Sequence, residues 1–150
     1  MPTQSPHTIK LHRGLRAPAE RVYRAFIEPA AQIRWTPPYG YLAEMQHSDV
    51  RVGGGYRMSF TNFRTKETHS FGGTYKELTP FQCIRYSDRF DDPSMQNEMQ
   101  VTVTFTPVTC GTELTIIQEN IPAQIPAEMC YLGWQESLLQ LAQLVEPEIP

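Results

Sequence analysis

The chain has 150 residues, a formal net charge of -3, 40% hydrophobic and 11% aromatic residues. That balance excludes a polyelectrolyte tail or a disordered solvating segment, which need high net charge and few aromatics. It also lacks the basic face through which nucleic-acid binders displace counterions, so nucleic acid is not an expected partner.

Residues 7–14, HTIKLHRG, alternate with Ile9 and Leu11 on one face, the pattern of a half-buried strand. In APAERVYRAFIEP, Pro18 suits a first helical turn and Glu20 favours that end of the dipole. Val22, Ala25 and Phe26 then line one helical face. Pro29 stops this helix, because the residue before a proline is pushed out of the helical region. A short helical turn through Ile33 and Trp35 runs into the loop signal PPYG.

From residue 41 to 120 the pattern predicts strands near 41–48, 55–63, 69–78, 82–90, 98–106 and 112–120. The breaks between them are GGG at 53–55, RTKE at 64–67, TPF at 79–81, DDPS at 91–94 and PVTCG at 107–111. Strands that follow one another through short turns imply an antiparallel meander, with one face buried. Residues 127–145 then place Ala127, Cys130, Tyr131, Trp134, Leu138, Leu141, Ala142 and Val145 in one stripe of a helix. Leu132, Leu139 and Leu144 widen the stripe, which predicts a helix gripped by the sheet with little circumference left for water. A bent sheet must cover its concave side, and only this terminal helix is long and apolar enough to do so. The expected fold is α+β, a curved antiparallel helix-grip sheet around a long C-terminal helix. It forms one domain over residues 1–150, with a cavity between sheet and helix.

The segments RAPAERVYRAFIEPAAQIRWTPP, VRVGGGYRMSF, FGGTYKELTPFQCIRYSD, VTVTFTPVTCGTELTI and LGWQESLLQLAQLV occur in that order. Together they resemble the START-like (SRPBCC) superfamily, and within it the branch named for the C-terminal domain of the activator of the ninety-kilodalton heat-shock-protein ATPase. The tryptophan pair usual after the short helix is Trp35–Thr36 here. The resemblance implies the helix-grip fold rather than one activity, since members differ in ligand and partner and only some are enzymes. The eukaryotic activator carries a separate N-terminal domain for which 150 residues leave no room, so a chaperone partner has only the branch name behind it.

Strand parity selects the candidate lining. Met58 and Phe60 inward bring Tyr56; Phe71 and Tyr75 inward bring His69; Ile84 inward brings Tyr86 and Asp88; Leu114 and Ile116 inward bring Gln118. A bulge would invert any of these assignments. Cys130 and Trp134 face the sheet from the terminal helix. The expected site is an apolar cavity with a few hydrogen-bonding groups, as small-molecule sites usually are. His69 and Asp88 are the candidate acid/base pair, with the carboxylate setting the imidazole tautomer. The plainer reading makes them rim residues that never meet. Tyr75, Tyr86 and Tyr131 offer phenolic donors or serve as core aromatics. Trp134, Leu138 and Leu141 on successive turns predict a shared cavity floor and core, and Gly133 a close helix–sheet approach.

Other chemistry finds no footing. GGG leads into a strand, whereas a phosphate loop leads into a helix N-terminus. The histidines at 7, 12, 47 and 69 have no metal-ligand spacing, and neither HExxH nor GxSxG occurs. No metal or cofactor is therefore expected. Cys83, Cys110 and Cys130 are widely spaced, which suits neither a disulfide framework nor a zinc site. Cys130 is expected to be a packed, protonated thiol. No stretch approaches the roughly 20 apolar residues of a membrane span, and MPTQSPHTIK lacks the apolar core of a secretory signal, so the cytoplasm is the expected compartment. Leu132 and Met129 lie off the helical seam, and their exposure would suit a homodimer. The expected function is binding of a hydrophobic or amphipathic small molecule. The alternatives are a cyclase- or hydrolase-like enzyme using the inward His, Asp and Tyr groups, and a chaperone-associated interaction module.

Overall fold

A computed structural model describes residues 5–148. In chain order the elements are β1 (His7–Leu15), α1 (Ala19–Ile27), α2 (Pro29–Trp35), β2 (Tyr41–Ser48), β3 (Gly55–Asn62), β4 (Thr68–Thr79), β5 (Cys83–Phe90), β6 (Met99–Val108), β7 (Gly111–Ile121) and α3 (Ala127–Val145). The strands form one sheet of seven in the order β1-β7-β6-β5-β4-β3-β2, and every neighbouring pair is antiparallel. Strands β2 to β7 make the meander; β1 closes the far edge against β7. The helices α1 and α2 carry the chain from that edge to the other.

Local chemistry sets the element ends. The Pro18 carbonyl accepts from the Arg21 and Val22 amides to open α1, and Glu28, extended before Pro29, ends it. Two side chains then hold α2 against α1: the Trp35 Nε1–H donates to the Ala25 carbonyl at 2.8 Å and the Gln32 Nε2–H to the Phe26 carbonyl at 2.9 Å. Strand β6 runs on through Pro107 to Val108, past the break expected at PVTCG, because Pro107 pairs with Thr112 at the hairpin end. Gly73 is required by proximity: a Cβ there would lie 1.8 Å from the Ser87 carbonyl oxygen of β5.

Helix α3 is gripped along one side only. Its second half buries Ser137, Leu138, Leu141, Ala142 and Val145, and its close backbone approaches are to β1, α2 and α1. Tyr131, Leu132, Leu139 and Leu144 remain exposed, so far more of its circumference meets water than the width of its apolar stripe implied. The two halves of α3 differ. The C-terminal half carries all its buried residues, while Cys130, Gly133 and Trp134 of the N-terminal half border open space shared with β3, β4 and β5. That open space is the cavity. Leu138 and Leu141 lie beyond it in solid core; they do not line its floor, a correction to the sequence expectation. Polar clamps hold the helix in this pose: the Ser137 hydroxyl donates to the Thr36 carbonyl, and the Gln140 amide donates to the Trp35 and Pro37 carbonyls.

Candidate functional site: an aromatic cavity with one carboxyl

The cavity has a volume of about 450 Å³. From β3 come Tyr56, Met58 and Phe60; from β4 come His69, Phe71 and Tyr75; from β5 come Ile84, Tyr86, Asp88 and Phe90. Gln118 reaches in from β7, and Cys130, Gly133, Trp134 and Ser137 from α3. The inward residues named from strand parity on β3, β4 and β5, together with Gln118, therefore line one space, while Leu114 and Ile116 of β7 lie in the solid core outside it. The alternation survives because the register shifts fall between His7 and Ile9, Met45 and His47, and Tyr75 and Glu77, outside the lining runs.

Asp88 is the polar centre. The Tyr56 hydroxyl donates to its Oδ1 at 2.8 Å. Burial pushes its pKa up to about 7, although the Tyr56 hydroxyl and the Arg89 amide both hold the charged form. Burial, with the Asp88 charge adding to it, likewise raises the Tyr56 and Tyr86 phenols and takes the Cys130 thiol up to about 11. Cys130 is thus a protonated, packed thiol near neutral pH, and its Sγ–H points to the Gln118 Oε1 at 3.5 Å. The same Oε1 accepts the Trp134 indole N–H at 2.8 Å, so Gln118 ties α3 across the cavity to the sheet.

His69 and Asp88 do not form a pair. The register that sets Phe71 opposite Phe90 and Gly72 opposite Arg89 puts Asp88 opposite Gly73, four residues along β4 from His69. That is a separation of roughly 13 Å along the strand. His69 instead stands at the mouth, against Tyr41, Phe60 and Phe90, and partial burial among these rings lowers its pKa. Asp88 lies deeper, held by Tyr56.

Two expectations for α3 are corrected. Tyr131 is exposed and outside the lining, so it offers no donor to the cavity. Gly133 permits no tight approach: a Cβ built there meets nothing within 4 Å, and the missing side chain leaves cavity space. Other lining residues were not singled out from the sequence: Phe26, Gln32, Trp35, Thr36 and Pro38 from the α1–α2 roof, and Ile125 and Met129 beside the mouth. A signal existed for Gln32, which lies one helical turn before Trp35 and so shares its face. Its Oε1 is buried and has no hydrogen-bond partner among the described residues. Thr36, the departure from the tryptophan pair, also faces the cavity.

Among the described residues no group of three or more His, Cys, Asp and Glu is arranged to hold a metal ion, and no helix is long and apolar enough to cross a membrane.

Residues 16–146 match the family described as Activator of Hsp90 ATPase homolog 1-like protein. A solved structure of a protein from Chromobacterium violaceum is 54% identical, covers 94% of this chain and 98% of its own, and superposes with a TM-score of 0.93. A protein from Rhodobacter sphaeroides, 20% identical over 95% of this chain and 92% of its own, has the same fold at a TM-score of 0.80. So does an AHSA1-like protein from Aeromonas hydrophila, 21% identical over 91% of this chain and 90% of its own, at 0.74. None of the curated proteins matches.

Proposed function

The chain belongs to the Activator of Hsp90 ATPase homolog 1-like protein family, and we propose that it binds a hydrophobic or amphipathic small molecule in the cavity between α3 and β3–β5. The observation that carries this reading is the cavity itself. It is about 450 Å³, walled mainly by aromatic and aliphatic side chains, with Asp88, Gln32, Gln118 and the tyrosine hydroxyls as sparse polar points. Sites of this size and make-up are the usual form of small-molecule pockets. Titration with a fluorescent polyaromatic probe or fatty acid is expected to saturate at one site and to change the emission of Trp134. A full screen of such probes without saturable binding would remove the reading.

Gly133 provides a variant that separates binding from stability. Gly133→Ala replaces a glycine inside a helix with the best helix former, which should stabilise the fold by about 0.5–1 kcal/mol. The added methyl projects into empty cavity, so probe affinity should fall, and Gly133→Leu should lower it at least tenfold while the protein stays folded. Thermal melts and titrations on the same preparations check both arms.

Trp134→Ala acts on both properties. It removes the donor to Gln118 and enlarges the cavity, so the melting temperature drops. Probe affinity should change by more than the lost folded fraction accounts for. Unaltered affinity in the folded fraction would make Trp134 a purely structural anchor.

A second reading is acid–base chemistry at Asp88, favoured by a carboxyl whose pKa of about 7 suits proton transfer at neutral pH. The Tyr56 hydroxyl would hold the carboxyl in position. Turnover of aromatic ester or polyketide-like carbonyl substrates, lost in Asp88→Asn, would support it; ligand recovered unchanged after prolonged incubation would leave binding alone.

A further inference from the structure

We propose that the cavity selects ligands carrying a cationic nitrogen, an amine or ammonium set against Asp88, on an apolar and largely aromatic body. This rests on the reading of the cavity as a small-molecule site and names the head group that site takes. The body has limited room, in a cavity of about 450 Å³.

The sign of the head group follows from what the walls contain. Among the described residues no lysine or arginine lines the cavity, and of the lining side chains only Asp88 and, at the mouth, His69 take up a formal charge near neutral pH. A carboxylate or phosphate moved inside would lose its hydration, meet no cation at depth, and face Asp88. A cation meets the opposite situation. The Asp88 carboxyl receives one side-chain hydrogen bond among the described residues, from Tyr56, so it lacks the counter-charge that would make its own burial tolerable. A ligand ammonium supplies that charge, and each ion then offsets the desolvation of the other.

The aromatic surroundings favour the same head group. The rings of Tyr56, Tyr75 and Tyr86 pack on one another with centroids 5.8, 5.9 and 6.3 Å apart. Tyr56 bonds Asp88 directly, and the Asp88 charge reaches the phenol of Tyr86. A nitrogen bonded to the carboxyl therefore enters a cluster of tyrosines, and aromatic rings attract ammonium groups that come over their faces. Gln32 adds a buried acceptor that has no donor among the described residues. The tyrosine hydroxyls turn either way, so the lining accommodates a head group that donates N–H bonds.

The groups that Asp88 reaches are Tyr56 from β3, Tyr86 from β5 and Cys130 from α3; Tyr75 of β4 lines the same cavity, and His69 lies four residues along β4 from the position opposite Asp88. Burial raises the phenols and the thiol, so they stay neutral, and it lowers His69. Through neutral pH the ionisation that matters at the head group is therefore that of Asp88.

Three naphthalene probes of nearly equal shape test the proposal by calorimetry: 2-naphthylmethylamine, 2-naphthylmethanol and 2-naphthoate. At about pH 8 the protonated amine is expected to bind at least tenfold more tightly than the alcohol, with the carboxylate weakest. Lowering the pH to about 5.5 should cut the amine affinity by about tenfold as Asp88 protonates, and move the alcohol little. Asp88→Asn, checked for folding by circular dichroism, should erase the preference for amine over alcohol. An alcohol that binds as tightly as the amine, or a carboxylate that binds best, overturns the cationic head group while leaving the cavity a binding site. The wild-type comparison decides this even if the variant fails to fold. Binding by none of the three overturns the cavity reading, and the head-group assignment with it.

Discussion

Leu138→Ala is expected to destabilise the protein by about 2–5 kcal/mol, because it removes buried apolar surface and leaves a void that rigid neighbours fill only in part. Leu138 is 1% exposed and sits in the core where α3 meets the sheet. For a chain of this length each kcal/mol shifts the melting temperature by about 2–4 °C, so a drop of roughly 4–20 °C is the observable. Leu139→Ala is the control: its neighbour is 41% exposed, and truncation there should cost well under 1 kcal/mol. Because Leu138 lies outside the cavity lining, the folded fraction of Leu138→Ala should bind a cavity probe as the wild type does. A melting temperature within a degree or two of the wild type would mean that α3 is not anchored through this turn.

The element order was legible because the signals were redundant. Alternation in QVTVTFT and TELTIIQ, Pro29 after a helical run and a long apolar terminal stripe each identify an element on separate physical grounds. Helix α3 spans the residues its stripe predicted, and the strands differ from expectation by a residue or two at their ends. Side-chain parity carried the strand part of the cavity wall for the same reason: a period of two is rigid unless a bulge intervenes, and the bulges lie elsewhere.

What the sequence hid is orientation. Periodicity says which face of α3 is apolar, but not how steeply the helix crosses the sheet. Trp134 and Gly133 border open space, while Leu138 and Leu141 lie in solid core. The α1–α2 roof was hidden likewise, since Phe26 and Gln32 serve the cavity only because Trp35 and Gln32 fold α2 back onto α1. For His69 and Asp88, parity put both on the inner face; their separation along the strands follows from the β4–β5 register, which no local pattern encodes.

Asp88 gives the second large effect, a stability that falls as pH rises. Its folded pKa of about 7 lies above the roughly 3.9 of an unfolded Asp. The protonated form is therefore favoured by folding: the contribution is fully present below about pH 3.9 and is lost as pH climbs through about 7. Urea unfolding of the ligand-free protein should report a loss on the order of 2–3 kcal/mol between about pH 5 and pH 8 from this group. Two opposing contributions are separable. Glu28, Asp91 and Asp92 are held below the usual carboxylate range, so they lose stability only at more acid pH, outside the window. His69, lowered by burial, gains stability as pH rises through the lower part of the window. Asp88→Asn keeps His69 and all three carboxylates while removing the buried acid, so the difference between the two pH profiles isolates Asp88. The variant is expected to lack the decline towards pH 8 and to exceed the wild type there. Parallel profiles for the two proteins would mean that the carboxyl ionises in the fold as freely as in the unfolded chain, and with that result acid–base chemistry at Asp88 near neutral pH would lose its physical basis.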